Sequence, residues 1–338
     1  MPRHRRLLAV ALVAALACGV TAGCTPPGEE NGTSPSPEST RSSEPTDRVA
    51  GGPRPPTKGA WIGAAVQPRK VTQEGRVQAF QEFESVTGRT LDVVHTYHPW
   101  DDPFPSAADE HFLERGQELL IGWAGSDSPG IAAGRYDQLI RQRARDVKAV
   151  DDQLMIAYRF EMDRPNLRSQ VRSAKDYIAA WKHIRAIFAE EGATNVGWVW
   201  APTAKGFTEG DAADFYPGDN QVDWLGVDAY TGPRLRPFSE VMRAYMDFAA
   251  EHPGKPIMIA EFGLSDRDGK RPAWLKAARE YVKEQPRIKA VLYFNGNSEA
   301  RPNALLALQP SETGRTAFND WLADPHFNTR RHPVTEPG

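Results

Sequence analysis

Two glutamates stand at the ends of apolar runs that have the composition of buried β-strands. Glu161 closes the run that begins at Leu154, and Glu261 closes the run that begins at Pro256. A carboxylate in such a position loses part of its hydration, which is costly unless the group has partners or a chemical role. Cleavage of a glycosidic bond with retention of configuration needs two carboxyl groups about 5–5.5 Å apart, one as proton donor and one as nucleophile. The alternative is a pair of structural glutamates in salt bridges.

The segments that must position these glutamates alternate short apolar runs with longer amphipathic stretches. This rhythm predicts parallel strands joined by helices. The eight strand candidates are Trp61–Val66, Leu91–Thr96, Glu118–Trp123, Gln153–Phe160, Val196–Ala201, Val222–Ala229, Pro256–Glu261 and Ala290–Asn295. The helical patterns cover Gln73–Val86, Tyr136–Val150, Lys175–Glu191, Phe238–Ala250 and Pro272–Val282. Residues 206–220 are rich in Gly and Asp and are predicted to be mainly loop.

Eight strands over residues 59–327 predict a single α/β domain, a (β/α)8 TIM barrel. In such a barrel the carboxyl ends of all strands share one mouth, so Glu161 after the fourth strand and Glu261 after the seventh would meet there. An open, flavodoxin-like sheet is the competing architecture. It is less favoured because the sequence has no glycine-rich phosphate loop.

The first residues have the pattern of an export signal. A positively charged start, Met1–Arg6, is followed by the apolar run Leu7–Val20, which is too short to span a bilayer. The run ends in Val20–Cys24, which resembles a bacterial lipobox and predicts lipidation at Cys24. An ordinary secretory peptide, in which Cys24 has no role, is the alternative. The predicted localisation is extracytoplasmic, anchored to the cell membrane through Cys24 alone.

The composition divides the chain and excludes several kinds of site. We expect a signal peptide at 1–23, a flexible linker rich in Pro, Ser and Thr at 24–58, the barrel at 59–327 and a tail at 328–338. Both cysteines, Cys18 and Cys24, lie in the first segments, so the barrel has no thiol for a disulfide or a thiolate zinc site. The net charge of −3 mixes both signs and shows no basic stripe for nucleic acid. We expect no metal, no cofactor and a monomer.

Other polar and aromatic residues near strand ends are candidates for the substrate cleft. Aromatic faces stack on the C–H surfaces of sugar rings, whereas Arg and Asn supply hydrogen bonds. Core packing, or an ion pair in the case of the arginine, is the alternative for each of them. The candidates are His98, Trp100, Trp123, Arg159, Trp200, Tyr230 and Asn295.

The sequence resembles glycoside hydrolase family 26 along most of the predicted barrel. The segments that carry the resemblance are Leu120–Trp123, Arg159–Asp163, Trp198–Pro202, Tyr216–Asp219, Val222–Tyr230 and Ile259–Gly263. The resemblance implies a retaining hydrolase with Glu161 as acid/base and Glu261 as nucleophile. It also implies that Tyr230, after the sixth strand, supports the nucleophile.

Two positions depart from the pattern of that family. Phe160 stands where the family usually has a histidine, and Asp163 stands where it usually has an asparagine. The histidine contributes to the site that holds the cleaved sugar, so its loss leaves the substrate open between mannan-like and β-glucan-like polysaccharides. The expected reaction is double displacement on a β-linked polysaccharide. The alternatives are a catalytically inactive carbohydrate-binding lipoprotein and a glycosidase that acts on a cell-envelope glycan.

Overall fold

Eight parallel strands close into a barrel in the order of the sequence. The computed structural model describes residues 51–232, 235–265, 269–296, 306–308 and 311–335. Neighbouring strands pair in parallel, and the first strand closes the ring by pairing with the eighth. The strands are β1 Trp61–Val66, β2 Val93–His98, β3 Glu118–Trp123, β4 Leu154–Tyr158, β5 Val196–Trp200, β6 Trp224–Tyr230, β7 Ile257–Gly263 and β8 Ile288–Asn295. The predicted (β/α)8 barrel is confirmed.

Helices connect the strands on the outside of the barrel. They are α1 Gln73–Thr87, α2 Ala107–Glu114, α3 Ser128–Ala132, α4 Asp137–Ala149, α5 Arg168–Val171, α6 Ala174–Glu191, α7 Ala204–Glu209, α8 Phe238–Ala250, α9 Arg271–Lys283 and α10 Glu312–Ala323. The five helices predicted from the sequence are present to within one residue of their predicted ends. The ends of α1 are fixed by capping residues that can be recognised in the sequence. The Thr72 hydroxyl accepts from the Gly75 amide at its start, and Gly88 takes the left-handed conformation at its end.

Two separate clusters of buried side chains result from the alternation of residues along each strand. One cluster fills the barrel interior, and the other lies between the strands and the helices. The interior cluster contains Trp61, Val93, Leu120, Met155, Ala157, Val199, Ala201, Trp224, Met258, Ala260, Ala290 and Leu292, with Phe160 packed against it.

A β-bulge interrupts this alternation in β7. Val227 pairs with Ile259, but the next residue of β6, Asp228, pairs with Glu261, so Ala260 is an extra residue in β7. Ala260 faces the barrel interior and Phe262 packs in the outer cluster. A bulge displaces the alternation by one position. The side chain of Glu261 therefore points inward, as that of Ala260 does.

The amino ends of the strands are covered by residues from both sides of the predicted barrel segment. Gly51 donates a backbone hydrogen bond of 2.7 Å to Thr194, and a Cβ on Gly52 would lie 2.4 Å from the backbone of Gly197. At the other end of the chain, Arg330 lies over the ring of Trp61. Residues 51–58 and 328–335 are thus packed against the barrel and are not free segments.

The predicted signal peptide, the lipidation site Cys24 and most of the predicted linker lie outside the described residues. In the part of the chain that is described, no helix is long and apolar enough to span a bilayer.

Candidate active site

Glu161 is placed by a sharp turn directly after β4. Arg159 and Glu161 both have positive φ angles, 47° and 53°, which are unfavourable for residues with a side chain. The Glu161 amide donates a 2.7 Å hydrogen bond to the Ala201 carbonyl just after β5, which holds the turn against the neighbouring strand. Strained backbone of this kind persists where the surrounding structure enforces it, often at functional sites. The turn places the Glu161 carboxyl at the barrel mouth.

Arg164 forms an ion pair with Glu161 across this turn. Its Nη1 contacts Oε2 of Glu161, and its backbone amide donates to the Glu161 carbonyl at 3.0 Å. The Glu161 side chain is 13% exposed and that of Arg164 is 31% exposed. Burial opposes ionisation of the guanidinium, but the charge and hydrogen bond of Glu161 raise the pKa of Arg164 overall. The two charges therefore stabilise each other.

Glu261 receives one tyrosine hydroxyl on each of its carboxyl oxygens. Tyr97 donates to Oε1 at 2.5 Å, and Tyr230 donates to Oε2 at 2.7 Å. Glu261 is only 6% exposed, so these two bonds replace most of the water that a free carboxylate would bind. The position of Tyr230 agrees with the role expected from the sequence. The role of Tyr97 was not predicted.

The surroundings of Glu261 disfavour its ionised form, whereas a nucleophilic carboxyl must be ionised when it attacks. Burial, followed by the nearby charge of Glu161, raises the pKa of Glu261 to about 7. The hydrogen bonds from Tyr97 and Tyr230 and the charge of Arg164 act in the opposite direction. Each ionised carboxyl thus disfavours ionisation of the other. A nucleophile must be the ionised member of the pair when it attacks.

Tyr97 is held in place by two neighbouring rings. The imidazole of His95 lies 4.3 Å from its ring and the phenyl group of Phe160 lies 5.4 Å from it. Burial lowers the pKa of His95 to about 3, so this imidazole is neutral. Phe160, which replaces the histidine common in the resembling family, thus packs against a tyrosine that bonds the second glutamate.

Two aspartates lie beside the glutamates. Asp228 is buried, and neither of its carboxyl oxygens has a hydrogen-bond partner among the described residues. Burial and the charges of Glu261 and Glu161 raise the pKa of Asp228 well above its usual range, which favours the neutral acid. Asp163 instead accepts the amide of Thr203 at 3.0 Å and also its hydroxyl, so it fixes the start of α7.

Two cavities are lined by residues that contact the glutamate pair. The larger, of about 1180 Å³, is lined by Glu161, Asp228 and Tyr230 together with residues around α5 and α7. The smaller, of about 510 Å³, is lined by Tyr97, His95 and Phe294 and extends towards α1. Tyr230 lines the larger cavity and Tyr97 lines the smaller, and both tyrosines bond Glu261.

Comparison with known proteins identifies the family of this chain. A model of glycosyl hydrolase family 26 matches residues 168–251. Endoglucanase H of Acetivibrio thermocellus is 31% identical over 299 residues, which cover 79% of this chain. The chain belongs to glycosyl hydrolase family 26. A β-1,3-xylanase of a Vibrio species is 27% identical over 150 residues, or 42% of this chain. The chain spans about a third of the length of these relatives, 32% of the first and 30% of the second.

Solved structures agree with the barrel fold of this family 26 chain. A family 26 β-mannanase from Bacteroides ovatus matches with a TM-score of 0.60 at 17% identity, over 80% of this chain and 90% of the other. A family 26 protein from a Muricauda species matches with a TM-score of 0.59 at 12% identity, over 80% and 87%. At such identities these matches show the fold alone.

The tryptophans that were predicted to line the cleft of this family 26 barrel are in the core. Trp100 stacks on Trp123 with ring centroids 4.5 Å apart, and Trp200 packs against the ring of Tyr216. Trp123 and Trp200 are fully buried in the outer cluster, and Trp100 is 7% exposed. The reason is strand alternation, because the neighbouring residues of Trp200, Val199 and Ala201, take the inward positions.

Tyr230 lines the larger cavity, but three other cleft candidates, His98, Arg159 and Asn295, line neither cavity. His98 is buried, with its Nε2 2.9 Å from a carboxyl oxygen of Asp109 of α2. Arg159 donates to the Ser126 carbonyl at 2.9 Å and to Gln170, which ties the end of β4 to the neighbouring loops. Asn295 accepts the amide of Leu308 at 2.8 Å at the end of β8. Each of these polar side chains is used for structural hydrogen bonds.

Proposed function

We propose that this chain is a retaining glycoside hydrolase that cleaves a β-linked polysaccharide, with Glu161 as acid/base and Glu261 as nucleophile. The observation that carries the proposal is the meeting of the two carboxyls at the barrel mouth, with Tyr97 and Tyr230 both donating to Glu261. A glutamate with a purely structural role would be expected to pair with a cation. Two neutral donors on a buried carboxylate instead suit a group that must change its charge during a reaction.

In the first step, a Glu261 oxygen bonds to the anomeric carbon while the bond to the leaving oxygen breaks. The carboxyl of Glu161 gives its proton to that oxygen, and a glycosyl ester on Glu261 results. In the second step, water attacks the anomeric carbon, the ester bond breaks and the Glu161 carboxylate takes a proton from the water. Tyr97 and Tyr230 stabilise the Glu261 carboxylate before attack and after its release.

The substrate class is inferred from the cavities and from the relatives. The larger cavity beside Glu161 and the smaller cavity beside Tyr97 have room for several sugar units, which suits cleavage within a polymer. The named relatives include an endoglucanase, a β-1,3-xylanase and a β-mannanase, which share β-linked polysaccharides as a class. Phe160 presents an apolar ring in place of a hydrogen-bonding imidazole and packs on Tyr97. The sugar therefore stays open between mannan-like, β-glucan-like and cell-envelope glycans.

The test measures the release of reducing sugar from mannan, galactomannan, mixed-linkage glucan, xylan and bacterial envelope glycans. The wild type is compared with Glu161→Ala and Glu261→Ala. We expect one class of polymer to be cleaved by the wild type alone. Azide should restore turnover to Glu161→Ala on an activated substrate, because an external nucleophile replaces the water that needs a general base.

A carbohydrate-binding protein without catalysis is the second candidate. The ion pair between Arg164 and Glu161 favours it, since an acid/base that is held ionised cannot donate a proton. In that case the same glycan would bind equally well to the wild type and to both alanine variants, and none of them would release sugar. This outcome would replace the hydrolase proposal.

We further propose that the chain is exported and anchored through a lipid on Cys24. The support is the sequence Val20–Cys24 after a short apolar run. Expression in a bacterial host with labelled palmitate should label the wild type and leave Cys24→Ala unlabelled. Equal labelling of both proteins, or of neither, would count against the anchor.

A further inference from the structure

We infer that Arg164 is a positioning residue for Glu161: its guanidinium favours the ionised carboxyl in the substrate-free protein, so that Glu161 must lose this ion pair before it can act as an acid. The inference deepens the proposed hydrolase and depends on it for its catalytic meaning. Its physical basis is the contact between the two side chains and does not depend on turnover.

The backbone holds Arg164 in reach of Glu161. The two residues are joined by a turn in which the Arg164 amide donates to the Glu161 carbonyl at 3.0 Å. The next residue is Pro165, whose ring fixes its φ angle, and it begins a short 3-10 turn, Pro165–Leu167. The ion pair is partly buried, so it is screened by water less than a surface pair is. Arg164 therefore meets Glu161 through a preformed geometry.

The described titratable groups around Glu161 come from four parts of the barrel. Tyr97 of β2, Asp228 of β6 and Glu261 of β7 all interact electrostatically with Glu161. Asp163 and Arg164 come from the same loop as Glu161. The charge of an ionised Glu261 opposes the ionisation of Glu161, whereas the guanidinium of Arg164 favours it.

A second arginine lines the same cavity but has a different partner. Arg168 binds both carboxyl oxygens of Asp211, at 2.6 and 2.8 Å. It has the same charge as Arg164 and similar exposure, 36% against 31%. Arg168 is therefore a matched control for a change of charge in this cavity without loss of the Glu161 ion pair.

The ion pair has opposite consequences in the two half-reactions. Before glycosylation, Glu161 must hold the proton that it will give to the leaving oxygen, and Arg164 opposes that state. After the proton has moved, Glu161 is a carboxylate, and Arg164 stabilises it until water returns a proton. Arg164 thus makes Glu161 a stronger acid but reduces the protonated fraction at neutral pH.

The test is a titration of Glu161 in the full chain by nuclear magnetic resonance, with carbon-13 in the glutamate carboxyls. The signal is assigned by its loss in Glu161→Gln. We expect Arg164→Gln to raise the titration midpoint by about one pH unit, the size typical of one lost ion pair. Arg168→Gln and the charge-conserving Arg164→Lys should leave it near the wild-type value. Arg164→Ala is the second neutral variant if Arg164→Gln does not fold.

Kinetics on a cleaved glycan give an independent readout. Without Arg164, Glu161 stays protonated to higher pH, so the alkaline limb of kcat/KM should move upward with the titration midpoint. A midpoint that is unchanged in both neutral variants would overturn the inference. A midpoint that moves in a protein that cleaves no glycan would leave the electrostatic assignment standing and would reject the proposed hydrolase.

Discussion

At the scale of single residues, Glu261 is held by two hydroxyl groups and by no cation in direct contact among the described residues. Tyr97 and Tyr230 each occupy one carboxyl oxygen. Attack on an anomeric carbon turns this carboxylate into a neutral ester, and a hydrogen bond to a neutral oxygen is weaker than one to an ion. The tyrosines therefore fix the direction of the nucleophile and lose less energy on ester formation than a charged partner would.

Loss of the Tyr97 hydroxyl should slow turnover. In Tyr97→Phe, Glu261 loses one of the two bonds that orient it and keep it ionised, so kcat should fall by about 10- to 100-fold. Since that bond favours the ionised form, the acid limb of the pH profile should move upward. The matched control is Tyr245→Phe, because its hydroxyl donates to the Leu225 carbonyl on the outer side of the sheet. Equal kinetics of the two variants would refute the role of Tyr97.

Replacement of Glu261 should change how stability depends on pH. The pKa of Glu261 is raised to about 7 in the folded chain, so between about pH 4.5 and 7 the folded state binds more protons than the unfolded state. The unfolding free energy of the wild type therefore falls across this window as the pH rises. Glu261→Gln lacks this loss and should gain up to a few kcal/mol relative to the wild type at pH 8 compared with pH 4.

Urea unfolding at both pH values measures this difference. Glu240→Gln, an exposed position on α8, serves as the control and should show no comparable change. If Glu261→Gln keeps the same stability difference from the wild type at pH 4 and pH 8, the raised pKa is refuted.

At the scale of elements, both catalytic candidates come from irregular positions in otherwise regular strands. Glu161 comes after β4 through a turn with positive φ angles, and Glu261 lies after the extra residue Ala260 in β7. Ala260 faces the interior, so regular alternation without the bulge would turn the side chain of Glu261 into the outer cluster, where Phe262 now packs. The local irregularities thus decide which side chains reach the mouth.

The sequence predicted the barrel and both glutamates because the apolar runs mark the strands and each glutamate stands at the end of one run. Tyr97 was missed because the second run was read as Leu91–Thr96, whereas the strand is Val93–His98. The inward position of Val93 would have indicated Tyr97 by alternation. The same alternation of inward and outward residues would have predicted that Trp123 and Trp200 are buried outside the barrel. The bulge at Ala260 could not be predicted, because it leaves no mark in the pattern of apolar residues.

The contact between β2 and α2 gives a prediction about stability. Asp109 is buried and binds His98 at 2.9 Å and the Thr96 hydroxyl at 2.7 Å. Burial disfavours the carboxylate, but the hydrogen bond and charge of His98 outweigh it and lower the pKa of Asp109. Asp109→Asn should therefore cost about 3 kcal/mol at pH 7, since hydrogen bonds to a charged oxygen contribute about 1.5–3 kcal/mol each.

This cost should shrink as the pH falls below the ordinary range of an aspartate, since a lowered pKa stabilises the fold only where the unfolded state is also ionised. Urea unfolding at pH 7 and pH 3 measures it. Asp101→Asn changes an exposed aspartate in the loop after β2 and should have little effect at either pH. A cost that is the same at both pH values would contradict the lowered pKa of Asp109.

At the scale of the whole molecule, the barrel is open at its mouth and covered at its base. Trp61 and Trp224 stack inside the base at 5.8 Å, and Arg330 lies over Trp61 from outside. Arg330 also binds Glu118, whose pKa is raised to about 7, mainly by burial and against the effect of Arg330. The residues after Phe327 thus supply both the cover and a charge partner for a buried carboxyl.

Removal of the residues after Phe327 should lower the thermal stability. Loss of the Arg330 contacts should cost about 2 kcal/mol, or about 4–8 °C in Tm for a domain of this size. Arg330→Met should reproduce most of this loss, whereas Arg331→Met, at an exposed neighbour, should not. Thermal unfolding followed by circular dichroism measures the effect. A truncated chain with the wild-type Tm would show that this segment does not stabilise the barrel.

The close fit of Gly52 against Gly197 has a practical consequence for surface attachment. The described chain enters the barrel at its base, where the strands begin, and the reacting carboxyls lie at the other rim. A bead or a sensor surface joined at Gly51 itself is therefore attached at the base, away from the rim that carries the reacting carboxyls. Coupling through the lysine of α7, Lys205, would instead place the support at the wall of the larger cavity and should hinder access by long polymers.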